Sequence, residues 1–369
     1  MIKILLLIDY SSEFDRKLLR GLVQYSKENG PWLFYRLPSY YSAMHGEQGI
    51  LRWAKEWKAD AIIGQWNNDT IDLQKELNIP VVLQNYHHRS VTYSNLTGDY
   101  KGTGRMAAQF FAKRMFRNFA YFGVKWVVWS DERCEGYRQE VKRIGGEFFS
   151  FESDKQEDEI RMEVSQWLQQ LPKPVALFCC DDAHALFISE TCRMNNIHIP
   201  EEIALLGVDN DELMCNISDP PISSIELEVE RGGYSIGRLI HQQIKKEHGG
   251  TFNIVINPIR IELRQSTEKH NIKDPYILEV VKYIDAHYSS DLTIESLLAN
   301  IPLSRRNFEV KFKNAMNTSI YQYILNCRCN HLADLLLTTD RSLADLAIEV
   351  GFKDYNNICL LYTSPSPRD

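Results

Sequence analysis

From Ile2 to about Ser266, short runs of β-branched and aromatic residues alternate with amphipathic stretches, and after Pro275 the alternation stops. No other feature of the sequence constrains the fold as much. The apolar runs cover residues 4–8, 32–37, 61–64, 81–83, 119–123, 147–151, 175–179 and 204–208. Each is short and bounded by polar residues or glycine, the pattern of a strand buried on both faces. Between them, 16–29, 102–115, 132–145, 159–170, 183–195 and 229–247 carry helical periodicity. Strands and helices in alternation predict parallel sheets covered on both sides. About ten strands is a large number for one such sheet, so two similar lobes are expected.

The second half of the switch is a change of class. Residues 268–274 are polar and run into Pro275, a linker signal. From there to about Ile358 the pattern is helical, over 276–287, 293–300, 304–316, 320–337 and 342–350. The expected organisation is an α/β two-lobed domain over 1–266, a linker over 267–274 and an all-α domain over 275–358. In the remaining stretch, 359–369, Pro365 and Pro367 stand too close together for a helix, and a non-native tail is expected.

Composition bounds the partners. The net charge is −7, so any contact with nucleic acid has to be a local basic patch. None of the eight cysteines forms a Cys-x-x-Cys pair or sits at zinc-ligand spacing with histidine. They read as buried small hydrophobes of a reducing cytosol, and no metal or cofactor is expected. The first apolar run ends at Ile8, too short for a signal-peptide core or a membrane span. A cytoplasmic protein without a membrane partner is expected.

Ligands of open α/β sheets bind beyond the carboxyl ends of the strands. The sequence repeatedly places polar groups there: Asp9 after 4–8, Gln65 to Asn67 after 61–64, Asp99 after 94–97, Asp181 and Asp182 after 175–180, and Asp209 and Asn210 after 204–208. Arg133 opens the helix that follows Trp126 and Trp129. Carboxylates and a guanidinium grip neighbouring hydroxyls in bidentate fashion, and Phe14, Trp66 or Trp129 can cover the apolar face of a sugar ring. Acids outnumber bases, which favours a neutral polyhydroxylated ligand over an anion. For any one of these acids the competing reading is a helix N-cap.

In order and spacing these elements resemble the ligand-binding core of the lactose/galactose-repressor family, itself similar to periplasmic sugar-binding proteins. The matching pieces are the opening strand through Arg20-Gly21, Asp99-Tyr100-Lys101-Gly102-Thr103, Arg133-Cys134-Glu135-Gly136-Tyr137, Asp181-Asp182-Ala183-His184-Ala185, Gly207-Val208-Asp209-Asn210 and Arg264-Gln265-Ser266-Thr267. The resemblance implies that Arg133, Asp182 and Asp209 hold sugar hydroxyls, with Asp9, Phe14, Asp15 and Asp99 as further candidates. That family's N-terminal DNA-binding headpiece is not expected here, because the first strand starts at Ile2.

Residues 293–312 read as helix, turn, helix. Thr293 caps the first helix, Asn300-Ile301-Pro302 breaks it, and Ser304 caps the second. On the second helix Phe308 and Phe312 fall four apart, toward a core, which turns Arg305, Arg306 and Asn307 outward at its start; Lys311 adds to the basic character. These are the positions from which a recognition helix reaches bases and phosphates, so Ser304, Arg305, Arg306, Asn307 and Lys311 are the DNA-contact candidates. The competing reading is a solvated basic face.

This half resembles the arabinose-regulator (AraC) type of DNA-binding domain, in which a long helix joins two helix-turn-helix units. Leu303-Ser304-Arg305 and Lys311-Phe312 carry the first unit, residues 323–336 the linking helix, and 342–354 the start of the second. Both domains in this order resemble regulators of the xylose-operon type. That resemblance implies a periplasmic-binding-protein-like sensor fused to an AraC-type helix-turn-helix domain, with xylose or a related pentose as effector, promoter DNA as partner, and a homodimer as the working form. An enzyme is not expected. Gly98 to Arg105 lacks the Gly-Lys-Ser/Thr ending of a phosphate loop, and His87-His88 has no further ligand at motif spacing. A cytosolic sugar-binding protein without a DNA role is the other alternative.

Overall fold

The computed structural model describes residues 1–8, 10–37, 39–66, 71–247, 249–268, 272, 274–299, 301–316, 318–339 and 341–352. The chain divides into two compact units, Met1–Phe111 with Arg117–Lys269, and Ala112–Phe116 with His270–Asp369. The expected tail at 359–369 lies outside the described residues.

In the first unit the strands are β1 (Ile2–Leu7), β2 (Trp32–Arg36), β3 (Ala61–Gly64), β4 (Val81–Leu83), β5 (Ser94–Gly98), β6 (Asn118–Val124), β7 (Glu147–Ser153), β8 (Val175–Cys179), β9 (Ile203–Val208), β10 (Ser223–Leu227), β11 (Asn253–Ile256) and β12 (Pro258–Glu262). They form two six-stranded sheets, ordered β11-β5-β4-β3-β1-β2 and β12-β10-β9-β8-β6-β7. Every pairing is parallel except that of β12 with β10. The helices are α1 (Glu13–Asn29), α2 (Ser39–Trp57), α3 (Leu73–Leu77), α4 (Tyr100–Lys113), α5 (Val128–Arg143), α6 (Glu157–Gln170), α7 (Asp182–Met194), α8 (Glu212–Ile217) and α9 (Val229–Ile244).

Two lobes, one per sheet, follow from this order. The chain passes from the first sheet to the second between β5 and β6, returns between β10 and β11, and crosses a third time between β11 and β12, where Asn257 alone intervenes. Each lobe has its own core. In the first, Leu5, Ile62 and Leu83 of the sheet meet Ile50 and Leu51 of α2; in the second, Val175, Leu177 and Leu205 meet Val164, Leu168 and Ile188. Helices α1 and α9 cross with their backbones nearly touching. A Cβ on Gly233 would lie 2.1 Å from the Leu18 carbonyl oxygen, so glycine there lets α9 press on α1 and fixes the helix that carries Arg16 and Lys17.

The second unit is helical: α10 (Pro275–His287), α11 (Ile294–Leu298), α12 (Arg305–Met316), α13 (Ile320–Thr338) and α14 (Leu343–Glu349). Asp274 caps α10 by accepting from the Tyr276 and Ile277 amides, with Pro275 at the first helical position, where its missing N–H costs nothing. Ile277, Val281, Ile284, Phe308, Phe312 and Ile320 make one core; Leu332, Leu346, Ala347, Val350 and Phe352 make a second. Helix α13 contributes to both, so it joins the core formed with α10 to α12 to the core formed with α14. Among the described residues no helix is long and apolar enough to cross a membrane.

Candidate functional site

The backbone after β9 turns sharply. Asp209 has φ +96° and Asn210 φ +49°, left-handed values that residues with a side chain adopt at a cost of about 1–3 kcal/mol. Several bonds hold the turn. The Asp209 amide donates to the Ile225 carbonyl at 2.9 Å and the Asn210 amide to Ser224 Oγ at 3.0 Å. Arg264 Nη2 donates to Asn210 Oδ1 at 2.8 Å, and the Asp211 amide to Asp182 Oδ2 at 2.7 Å. The other Asp182 oxygen accepts from Ser224 Oγ at 2.6 Å. Burial, with Asp209 nearby, pushes the Asp182 carboxyl well above the usual range. In this arrangement Asp182 faces protein donors on both oxygens, and it braces the 209–211 turn from behind.

Arg133, on α5, is 3% exposed. Its Nη1 donates to the Cys180 carbonyl at the end of β8, and its Nη2 lies 3.7 Å from Asp209 Oδ1. The guanidinium sits over the rings of Tyr100, at 5.5 Å, and Trp129, at 5.4 Å, cation–π contacts that fix its plane. Two buried polar atoms here lack a hydrogen-bond partner, Asp209 Oδ1 and Arg133 Nε. Buried polar groups are almost always satisfied, so an acceptor and a donor left over within one cluster are able to accept from and donate to polar groups that the chain itself does not supply. Burial lifts the Asp209 pKa to about 6, with Arg133 opposing the rise.

The first lobe reaches across to the second at several points. Lys17 Nζ donates to the Asp209 carbonyl at 2.8 Å and lies 3.9 Å from Glu226. Arg16 Nη2 meets Asp211 Oδ2 at 3.1 Å. Arg89 grips Glu132 with both Nη atoms, at 2.6 and 2.8 Å, while its Nε donates to Thr97 Oγ1. The Val128 amide donates to the Tyr86 carbonyl at 2.7 Å. The two lobes therefore stand closed on each other around Arg133 and Asp209.

The other expected ligand-site residues fall in different places. Asp99 is exposed and accepts from the Gly102 amide, so it is the cap of α4 and no part of the cluster. Asp181 likewise accepts from the His184 amide and caps α7. Trp66 is buried in the core of the first lobe with its Nε1 donating to the Ile71 carbonyl, which removes it as a ring-stacking face. Phe14 is half-buried near the start of α1. Asp15 is buried beside it, close enough to Tyr10 to act on its phenol; burial first, with Asp15 adding, pushes that group to about 12 against the pull of Arg36. Asp9 and Asn67 lie outside the described residues. Sequence reasoning overlooked Lys17 and Tyr100. The only signal for either was its place, Lys17 in the first turns of a capped helix and Tyr100 directly after a strand-end acid.

In the helical unit, Thr293 caps α11 and Ser304 Oγ accepts from the Asn307 amide at the head of α12. Phe308 and Phe312 are fully buried and meet edge to face at 6.2 Å. This packing leaves Arg305, Arg306 and Asn307 exposed. Arg305 is engaged by Glu295 at 2.8 Å and Glu309 at 3.1 Å. Lys311 turns inward, its Nζ 2.6 Å from Asp274 at the cap of α10. This DNA-contact candidate thus ties α12 to α10.

Comparison with known proteins agrees with this architecture. Residues 108–267 match the periplasmic binding protein-like domain family, and residues 297–363 match a helix-turn-helix domain family, a stretch that runs past Ile358, where the motif pattern gives out. The chain is 24% identical over 364 residues to the xylose operon regulatory protein of Haemophilus influenzae, covering 95% of this chain and 92% of that protein. It is 23% identical over 363 residues to the protein of the same name from Escherichia coli K12, covering 95% and 91%. The solved structure of the xylose-binding transcription activator xylR superposes with a TM-score of 0.62 at 20% identity, over 99% of this chain and 96% of that one. A LacI family regulator from Enterococcus faecium with bound ribose superposes with a TM-score of 0.59 at 17% identity, over 72% of this chain and 98% of that one.

Proposed function

We propose that this chain, a two-sheet periplasmic-binding-protein-like domain joined to an AraC-type helix-turn-helix domain, is a sugar-responsive transcription regulator. Its effector is a pentose, xylose by the names of its relatives, and its output is occupancy of promoter DNA. It works in the cytoplasm as a homodimeric activator and carries out no catalysis.

The observation that carries the reading is the pair of unpartnered buried atoms, Asp209 Oδ1 and Arg133 Nε, beside the rings of Tyr100 and Trp129. A carboxylate oxygen and a guanidinium N–H side by side accept from and donate to neighbouring hydroxyls, and the rings take the C–H face of a sugar. Lys17 brings the opposite lobe to the same turn, so a ligand held here favours the closed lobes over the open ones. The exposed head of α12, with Arg306 and Asn307, supplies the DNA-facing surface.

The test is a titration of a promoter fragment at fixed salt with and without xylose, ribose, arabinose and glucose, paired with calorimetry of each sugar on the protein alone. One pentose is expected to bind with about one site per chain and to shift promoter affinity. Equal promoter affinity under every sugar removes the sensing half of the reading; no binding to promoter DNA above its affinity for random DNA removes the other half.

A further inference from the structure

We propose a divalent transition-metal site at Cys180, Asp181 and His184, of the kind that takes Zn2+. The sequence spacing matches no familiar zinc pattern, and none was expected. The fold nevertheless brings one ligand atom from each of the three side chains within 4.8 Å of the others. Cys180 directly follows β8, Asp181 caps α7 and His184 lies in the first turn of that helix, so a single strand-to-helix turn brings all three together.

Thiolate, imidazole and carboxylate together are a donor set suited to Zn2+, and unsuited to Mg2+ or Ca2+, which prefer oxygen alone. Zinc sits about 2.3 Å from sulfur and about 2.0 Å from nitrogen or oxygen, which sets its ligands roughly 3.5 Å apart. The side chains thus need only small rotations to close. The Cys180 side chain is fully buried, and the Phe122 ring centroid lies 6.0 Å from that of His184. The His184 and Asp181 side chains remain 21% and 20% exposed, which leaves an entry path. Glu157, at the start of α6, is close enough to His184 and Asp181 for their charges to act on its carboxyl.

On binding, the Cys180 S–H bond breaks and the sulfur lone pair forms the bond to the metal; His184, which its pairing with Asp181 holds in the protonated form, gives up one N–H proton and binds through the lone pair that this frees, and both protons pass to solvent. No redox step is involved. The site stands back to back with the cluster around Arg133, which is anchored on the carbonyl of Cys180 itself.

Chelator-stripped full-length protein is dialysed against ZnCl2 in parallel with the Cys180→Ser and His184→Asn variants, and the bound metal is measured. About one zinc per chain is expected in the parent, held roughly a hundredfold or more weaker in each variant. CoCl2 added to the parent protein provides a second readout that needs no variant to fold. It should give tetrahedral visible bands and a thiolate-to-cobalt charge-transfer band in the near ultraviolet. Zinc binding that is unchanged in both variants, well below one per chain in the parent, or a cobalt spectrum without the thiolate band overturns the site.

Discussion

Asp209 Oδ1 and Arg133 Nη2 stand 3.7 Å apart, too far for a hydrogen bond and close enough for their charges to hold each other in place. The carboxylate oxygen keeps its accepting capacity while remaining ionised at neutral pH. The substitution Asp209→Asn preserves the shape and removes the charge. It should weaken effector binding about tenfold to a hundredfold, the worth of a charge-assisted hydrogen bond, while thermal stability at pH 7 stays level or rises, because a buried charge has been removed. Calorimetry and a melting curve on the same sample check both halves; an unchanged dissociation constant would count against Asp209 as an effector contact.

The pH dependence follows from the same group. Burial raises the Asp209 pKa from 3.8 to about 6 in the folded chain, against the opposing charge of Arg133. The protonated form is therefore favoured in the native state relative to the unfolded chain. The stability this confers is full below the ordinary aspartate value and is lost as pH rises through about 6. A hydroxyl donating to the ionised oxygen has the opposite preference. Effector affinity should be flat above pH 7 and fall as pH drops below 6, by about tenfold per unit well below the pKa. The Asp209→Asn variant should show no such slope, and an equal slope in that variant would assign the titration elsewhere.

Gly207 lies on β9, facing Asp182. A Cβ there would stand 2.1 Å from Asp182 Oδ1. The carboxylate would have to move off Ser224 Oγ and the Asp211 amide, both of which it now accepts from while buried. Gly207→Ala should cost about 2–3 kcal/mol in denaturant unfolding. It should also weaken effector binding, because the turn at 209–211 loses its brace. Wild-type stability in this variant would mean that Asp182 is not held as tightly as its two bonds imply.

The clasp between Arg89 and Glu132 is bidentate but partly exposed, so its contribution is modest. Arg89→Ala should lower effector affinity roughly three- to tenfold by favouring the open lobes. Small-angle scattering of the effector-free protein should show a larger radius of gyration in the variant than in the parent. If both quantities stay put, the clasp does not bias closure.

On the helical unit, Arg306→Ala should weaken promoter binding and reduce the slope of log affinity against log salt by about one. Lys311→Ala should behave differently. Its ammonium is held by Asp274 at 2.6 Å, so the loss should appear in the stability of the helical unit, with the salt slope kept. Matching salt slopes in the two variants would place Lys311 on the DNA as well.

The strands that the sequence shows most clearly are the ones buried on both faces. Residues 61–64 and 81–83 are unbroken apolar runs, and β3 and β4 have those bounds. Strand β10 begins Ser223-Ser224, and β11 and β12 lie at sheet edges with their side chains half in solvent, so neither a run nor an alternation marks them. Helix α8 is six residues long, too short for its periodicity to register. That β11 returns to the first sheet depends on pairing with β5 across more than a hundred residues, which local pattern does not encode.

Within the cluster, Asp209 could be picked out because strand ends are where α/β proteins place polar groups, and Arg133, which lies inside α5, through the resemblance of Arg133-Cys134-Glu135-Gly136-Tyr137 to a known family element. The role of Asp182 could not, because its partners Ser224 and Asp211 arrive from distant parts of the chain. Asp99 shows the limit of the same rule, since a capping carboxylate and a ligand-holding one look alike in sequence.

Asn257 is the whole of the chain between the last strand of one sheet and the last strand of the other. A tether of that length has no slack, and the next residue is a proline. The halves of the sensor are thus pinned like two leaves on a short spindle. They can swivel but cannot drift apart, and a molecule that grips both leaves turns its affinity into an angle.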